Sequence, residues 1–199
     1  MLEIFDKGGP LMYPILVCSM IAWTIFFERL WSYHQIKKHL RSLTLEVERL
    51  YCSNRVEEAI DLCQRTPMPL ARLLIVALRQ AGSSRNHIKT LVEEVSGREI
   101  AALERYLGLL GTIATITPLL GLLGTVLGMI RAFTVIATTG IGTPATLGGG
   151  ISEALITTAA GLSVAVPVIL LHKYLSSRVD RLTLDLEECS MQVVDLVGN

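Results

Sequence analysis

The sequence predicts an all-α integral membrane protein, with three transmembrane helices extended by a cytoplasmic helical bundle. Three observations carry that prediction. Of the 199 residues, 51% are hydrophobic and 18% charged, with a mean hydropathy of +0.50, too apolar for an ordinary soluble domain of this size. The apolar residues are also clustered: between Tyr106 and Leu171 the only ionised side chains are Arg131 and Glu153. Outside that block the chain is rich in Glu, Arg and Leu, and its apolar residues recur at helical spacing. The formal net charge of +0 hides this split and says nothing about partners.

Residues 1–10 form a tail that carries Glu3, Asp6 and Lys7 rather than a basic leader. No small-x-small cleavage pattern follows the first apolar run, so that run is expected to be retained as an anchor. The run, residues 11–27, is uncharged and with its flanks just long enough for a hydrocarbon core of ~30 Å. Trp23, Phe26, Phe27 and Trp31 gather toward one end, where amphipathic rings favour a membrane interface. Pro14 lies near the other end, where the first helical turn lacks amide partners anyway.

Residues 28–104 read as a cytoplasmic helical region. Leu40, Leu43, Val47 and Leu50, then Leu70, Leu73, Leu74, Ala77 and Leu78, recur at helical spacing. Thr66-Pro67-Met68-Pro69 and Ala81-Gly82-Ser83-Ser84 are expected to interrupt the helices. Residues 105–137 form the second span, 138–150 a glycine-rich periplasmic connection, and 151–172 the third span. Residues 173–199 form a C-terminal cytoplasmic helix with Leu182, Leu186, Cys189 and Val193 on one face. Arg29, Lys37, Lys38 and Arg41 follow the first span, Arg105 precedes the second, and Lys173, Arg178 and Arg181 follow the third. The tail has one lysine and the second connection no basic residue, so the positive-inside rule places the N-terminus outside and the C-terminus inside.

Several chemistries find no support. There is no G-x-x-x-x-G-K-[ST] phosphate cradle, and Gly140-Ile141-Gly142 and Gly148-Gly149-Gly150 lack the strand–turn–helix context of a dinucleotide site. Charges of both signs are interspersed, which is not the one-sign patch that nucleic acid requires. Cys18, Cys52, Cys63 and Cys189 lack metal spacing; Cys52 and Cys63, eleven residues apart, would share a face if one helix ran through both. His34, His39 and His87 read as surface residues and His172 as an interfacial anchor. No catalytic residue, metal or cofactor is expected, and the chain does not read as an enzyme.

The second span is too small and polar for a helix facing lipid. Gly108, Gly111, Gly121, Gly124 and Gly128 are interspersed with Thr112, Thr115, Thr117 and Thr125. Such glycines let another backbone approach closely, and Pro118 frees the carbonyl of Ala114. Close packing alone and the lining of a cavity both fit. In the third span, Glu153 has Thr157, Gly161 and Val164 below it on one stripe, with Thr158 about 100° around. An ionisable residue within a span costs about 2.5–3.5 kcal/mol on insertion scales and normally faces a bundle interior or water. Arg131 lies near the same end, so an ion pair and a transport role are both open to Glu153.

The run from Thr117-Pro118-Leu119-Leu120-Gly121 through Gly124-Thr125 to Gly128-Met129-Ile130 resembles the second-span signature of the MotA/TolQ/ExbB proton-channel family. Gly150-Ile151-Ser152-Glu153-Ala154-Leu155-Ile156-Thr157-Thr158-Ala159-Ala160-Gly161-Leu162, followed by Ala165-Val166-Pro167, resembles its third-span signature. Three spans favour the ExbB/TolQ branch. Leu127 stands where many members have tryptophan, and His172-Lys173 where many have Tyr-Asn; neither touches the implied proton route. The resemblance implies a ring-forming subunit, a homopentamer around two copies of a single-span ExbD/TolR-like partner whose span carries an aspartate. It further implies a proton-driven inner-membrane motor acting through a TonB- or TolA-like protein, embedded in lipid and without nucleic acid. Carried over by position, the pore-lining threonines are Thr125 and Thr158 and the intramembrane acid is Glu153, with Thr157 on the same stripe. Gly121, Gly124, Gly128, Pro118, Gly161 and Pro167 are assigned to helix packing. A small secondary transporter would need internal repeats, which are absent. A structural scaffold would make the threonines packing features only.

Overall fold

The computed structural model describes residues 8–139 and 144–198, with only the backbone described at Thr139 and residues 144–147. Among the described residues there are five α-helices: α1 (Met12–Cys52), α2 (Val56–Arg65), α3 (Pro69–Arg79), α4 (Arg85–Thr139) and α5 (Pro144–Val197). Three of them, α1, α4 and α5, contain stretches long and apolar enough to cross a membrane.

The breaks expected at residues 66–69 and 81–84 occur, and a further one at Asn54 was not expected from the sequence. Asn54 adopts the left-handed region at φ 59°, and the amides of Asn54 and Arg55 bond the carbonyls of Tyr51 and Leu50 at 2.9 and 3.0 Å. That is a Schellman closure, in which the orphan carbonyls at the end of α1 are satisfied. Thr66 and Met68, each preceding a proline, are extended, and Pro69 opens α3 where no amide is needed.

Elsewhere the helices are longer than the sequence suggested. The first span continues into the charged region as one 41-residue helix, and the third continues to Val197 within 54 residues. No glycine or proline stands between Pro167 and Gly198, so nothing ends the helix at the change in polarity. The connection expected over 138–150 also changes: α5 already begins at Pro144, making Gly148–Gly150 helical. A Cβ on Gly150 would lie 2.8 Å from the Ala132 Cβ and 3.0 Å from the Gly128 carbonyl oxygen. Packing against α4 thus overrides the poor helix propensity of glycine. Residues 140–143 of that connection, and the charged tail residues Glu3, Asp6 and Lys7, lie outside the described residues.

The chain divides into two compact units almost where its hydropathy divides. One comprises the chain through Phe27 and Tyr106–Tyr174; the other is Glu28–Arg105 with Leu175–Asn199. In the second unit all five helices contribute buried apolar side chains, among them Leu40, Leu43, Val47, Cys63, Leu70, Leu73, Leu74, Ile88, Val92, Leu182, Leu186 and Val193. The helical spacing read from the sequence thus marks the core here. Tyr33 Oη donates to the Leu103 carbonyl at 2.9 Å, Arg72 pairs with Glu99 at 2.8 Å, and Arg85 with Asp195 at 2.6 Å. His34, His39 and His87 are exposed.

The cysteines correct one expectation. All four are free, and the turn at Asn54 places Cys52 and Cys63 on different helices, Cys52 exposed and Cys63 buried. Burial pushes the Cys63 thiol from an ordinary 9.0 up to about 11, and the Tyr33 hydroxyl up to about 12. The folded state therefore holds a proton that the unfolded chain releases above pH 9, and stability falls as pH rises from there toward 11. Below pH 9 the thiol is neutral in both states and contributes nothing to the pH dependence. Denaturation midpoints should decline across this window, and less steeply for Cys63→Val. A maleimide should label Cys52 in the native protein but Cys63 only after unfolding.

Candidate functional site

In the first unit, α4 and α5 meet along a seam of small residues. On α4 these are Gly121, Gly124, Gly128 and Ala132; on α5 they are Gly150, Ala154, Thr157 and Gly161. A Cβ on Gly161 would stand 2.8 Å from the Thr117 carbonyl oxygen and 3.1 Å from the Gly121 Cα. One on Gly121 would meet the Thr158 Cα at 3.1 Å, and one on Gly124 the Thr157 Cβ at 2.7 Å. Gly128 would collide with the Ala154 Cβ at 2.9 Å. Residues spaced three or four apart share one helix face, and glycine on both faces lets the backbones touch. α4 and α5 continue through Pro118 and Pro167 without interruption.

Polar groups line one end of this seam. Arg131 Nη1 on α4 donates to Glu153 Oε1 on α5 at 2.7 Å. One turn on, Thr157 is 1% exposed, and its hydroxyl makes a three-centre bond to the carbonyls of Gly8 at 2.7 Å and Glu153 at 2.8 Å. Thr158 donates to the Gly121 carbonyl across the seam at 2.9 Å. Gly8, Pro10, Leu11, Gly124, Leu127, Arg131, Glu153 and Thr157 surround a void of about 10 Å³, room for about one water.

The residues singled out from sequence therefore separate. Glu153, Thr157, Thr158, Gly121, Gly124, Gly128 and Gly161 come together on the seam. Thr125 does not: it is half-buried, and its hydroxyl bonds its own helix at the Leu122 carbonyl, 2.6 Å away. Pro118 is half-buried and Pro167 exposed. His172 lies over α4, its Nε2 3.2 Å from where a Gly111 Cβ would be. Sequence reasoning gave no contact role to Gly8, Gly9, Ala132, Gly150 or Ala154, although the last two stand in the third-span signature. The Gly150-x-x-x-Ala154 spacing was a legible signal for the last part of the seam; nothing local announced that Gly8 would meet Thr157.

Away from the seam, large apolar side chains point outward. Leu119, Phe133, Leu155, Val166 and Leu170 are each more than half exposed. Thr112, Thr115 and Thr134 on the outer surface of α4 each bond a carbonyl four residues earlier, which satisfies their hydroxyls without a partner helix. A polar seam within helices that are apolar outside defines a class: a membrane protein whose second and third spans enclose ionisable chemistry.

The profile of the MotA/TolQ/ExbB proton channel family matches residues 65–188. ExbB-like protein 3 of Synechocystis sp. is 33% identical over 165 residues, covering 82% of this chain and 79% of the relative. The biopolymer transport protein ExbB of Salmonella typhimurium is 28% identical over 92% of this chain and 78% of its own length. The Tol-Pal system protein TolQ of Haemophilus influenzae is 30% identical over 92% of this chain and 87% of its own. The chain belongs to the MotA/TolQ/ExbB proton channel family, in its ExbB/TolQ branch.

Proposed function

We propose that this chain is the ring-forming subunit of a proton-motive-force-driven motor in the bacterial inner membrane. In this reading a homopentamer surrounds two copies of an ExbD-like single-span partner and energises a TonB-type protein for outer-membrane transport. The observation that carries the proposal is the placement of Glu153, the intramembrane acid of the third-span signature, on a closely packed polar seam beside Thr157 and Thr158. A carboxyl there can take up and release a proton where no other acid of the spans is available. One charge crossing the membrane potential yields ~2.3 kcal/mol per 100 mV, so useful work needs several.

Supporting features lie at both ends of the spans. The basic residues after the first and third spans favour a periplasmic N-terminus and a cytoplasmic C-terminus. Trp23, Phe27 and Trp31, all exposed, suit an interfacial belt. The exposed apolar faces of α4 and α5 suit burial against lipid and neighbouring subunits. TolQ-like work in envelope maintenance is the second reading, favoured by the match to the Haemophilus protein over most of both chains.

The native mass of the purified protein tests the assembly, with and without a co-produced single-span partner bearing a membrane aspartate. The expected result is a pentamer that retains the partner. A monomer, or a ring that ignores the partner, would overturn the motor reading. Which outer-membrane process fails on deletion, TonB-dependent uptake or envelope integrity, decides between the two roles.

A further inference from the structure

The Glu153 carboxylate is held from two sides. Arg131 reaches Oε1 from α4 at 2.7 Å. From the other direction comes the Gly8–Gly9 turn that precedes α1. Gly9 has φ +70°, a conformation that side chains rarely adopt, and a Cβ on it would overlap Glu153 Oε1, the same oxygen that Arg131 binds. Gly8 is tied down in turn: its carbonyl accepts the buried Thr157 hydroxyl at 2.7 Å, and a Cβ on it would meet the flexible Met12 side chain at 2.6 Å and Ile156 Cγ2 at 3.2 Å. The Gly9 carbonyl accepts the Met12 amide at 3.2 Å, so the turn is continuous with the start of α1. About 10 Å³ is left between these groups, room for about one water on the strap side of the carboxylate, whose side chain is 26% exposed.

From this geometry we infer that the Gly8–Gly9 turn is a strap over the proton-carrying carboxylate. Gly9 and Arg131 are positioning residues that hold Glu153 in a paired state, and proton exchange on the strap side of Glu153 requires the strap to lift. The inference rests on the proton-route reading of Glu153 and adds its regulation. Two consequences are structural. Any side chain at residue 9 must displace either the strap or the carboxylate. A covalent tie between Gly8 and α5 must keep the site shut.

The test uses the full chain in membranes, co-produced with its single-span partner. Gly8→Cys and Ile156→Cys bring two thiols within reach across the strap, with each single cysteine variant as control. The probe is dicyclohexylcarbodiimide, an apolar carboxyl reagent, and its adduct on Glu153 is quantified by peptide mass spectrometry. Labelling follows the fraction of time the strap is open, so oxidation should lower it at least about fivefold and reductant restore it. Gly9→Val and Arg131→Gln should raise labelling, and Arg131→Lys should return it toward the native level. Proton-motive-force-dependent activity should fall and recover with the disulfide. Labelling indifferent to oxidation overturns the strap while leaving the proton route standing. Activity unchanged by a disulfide that does suppress labelling overturns the strap as a gate. Full activity of Glu153→Gln overturns the proton route itself, and the inference with it.

Discussion

Glu153→Ala is expected to abolish proton-motive-force-dependent activity while leaving the protein folded and assembled. The carboxylate is the one acid of the second and third spans. Removing a group that must bind and release a proton in the working cycle costs on the order of 10²-fold or more in rate. The fold should survive because Glu153 contributes little to the seam itself. The close contacts belong to Gly121, Gly124, Gly128 and Gly161, and the abandoned Arg131 side chain is 52% exposed and can be solvated. Glu153→Gln sharpens the experiment, since the amide keeps the size of the side chain and an oxygen for Arg131 but cannot carry the proton. Thr158→Val should impair activity for a different reason. Its hydroxyl already bonds the Gly121 carbonyl, so any share in proton transfer requires it to swing away, and valine preserves the shape while removing that option. Normal assembly with lost proton-driven function is the expected pattern in all three variants; full activity in Glu153→Ala and Thr158→Val would make the polar seam a packing feature.

Gly161→Val should have the largest effect on folding of any single change in the spans. The atoms its side chain would meet are backbone: the Thr117 carbonyl oxygen at 2.8 Å, and the Gly121 Cα and amide nitrogen at 3.1 and 3.2 Å. Backbone cannot rotate aside, so α4 and α5 must part along the seam. Overpacking of this kind costs about 1–3 kcal/mol, and more where neighbours cannot move. Parting the helices would also break the Thr158 bond to Gly121 and uncover Thr117 and Thr157, both buried. The matched control is Gly108→Ala. Nothing lies within 4 Å of a Cβ at that position, and alanine in a helix is favoured over glycine by roughly 0.5–1 kcal/mol. Thermal midpoints in detergent should fall for the first and hold or rise for the second. Equal midpoints for the two would refute the assignment of this seam.

Much of the protein was legible because hydropathy and helical spacing are properties of neighbours in sequence. The apolar blocks marked the three long apolar helices, and the proline and glycine-serine breaks marked the gaps between α2 and α3 and between α3 and α4. The spacing of Leu40, Leu43 and Val47, and of Leu70, Leu73 and Leu74, located core faces. The second-span glycines were legible as a contact face for the same reason. Helix ends were less legible. The change in composition where the apolar blocks meet the charged region suggested boundaries, but helical hydrogen bonds are blind to polarity, and α1 and α5 run straight through. Gly148–Gly150 looked like a connection because glycine weakens isolated helices; the contact of Gly150 with Ala132 reverses that preference.

The site shows the division most sharply. That Glu153 is unusual follows from sequence alone, because an acid in an apolar span must be compensated by something. What compensates it could only be decided by the tertiary structure. Arg131 was one of two open possibilities, and its 2.7 Å bond depends on the helix pairing that brings α4 and α5 together. Thr125 and Thr158, which the signatures put side by side in role, part company in space, one bonding its own helix and the other the facing one. The Gly8–Gly9 turn had no signal at all, since Gly8 and Thr157 lie 149 positions apart and only chain folding sets their separation. The sequence by itself determined which segments are apolar, which are helical and which residue types lie on each face. The partners of Glu153 were decided by long-range packing, because a hydrogen bond depends on ångström distances that no local pattern of residues encodes.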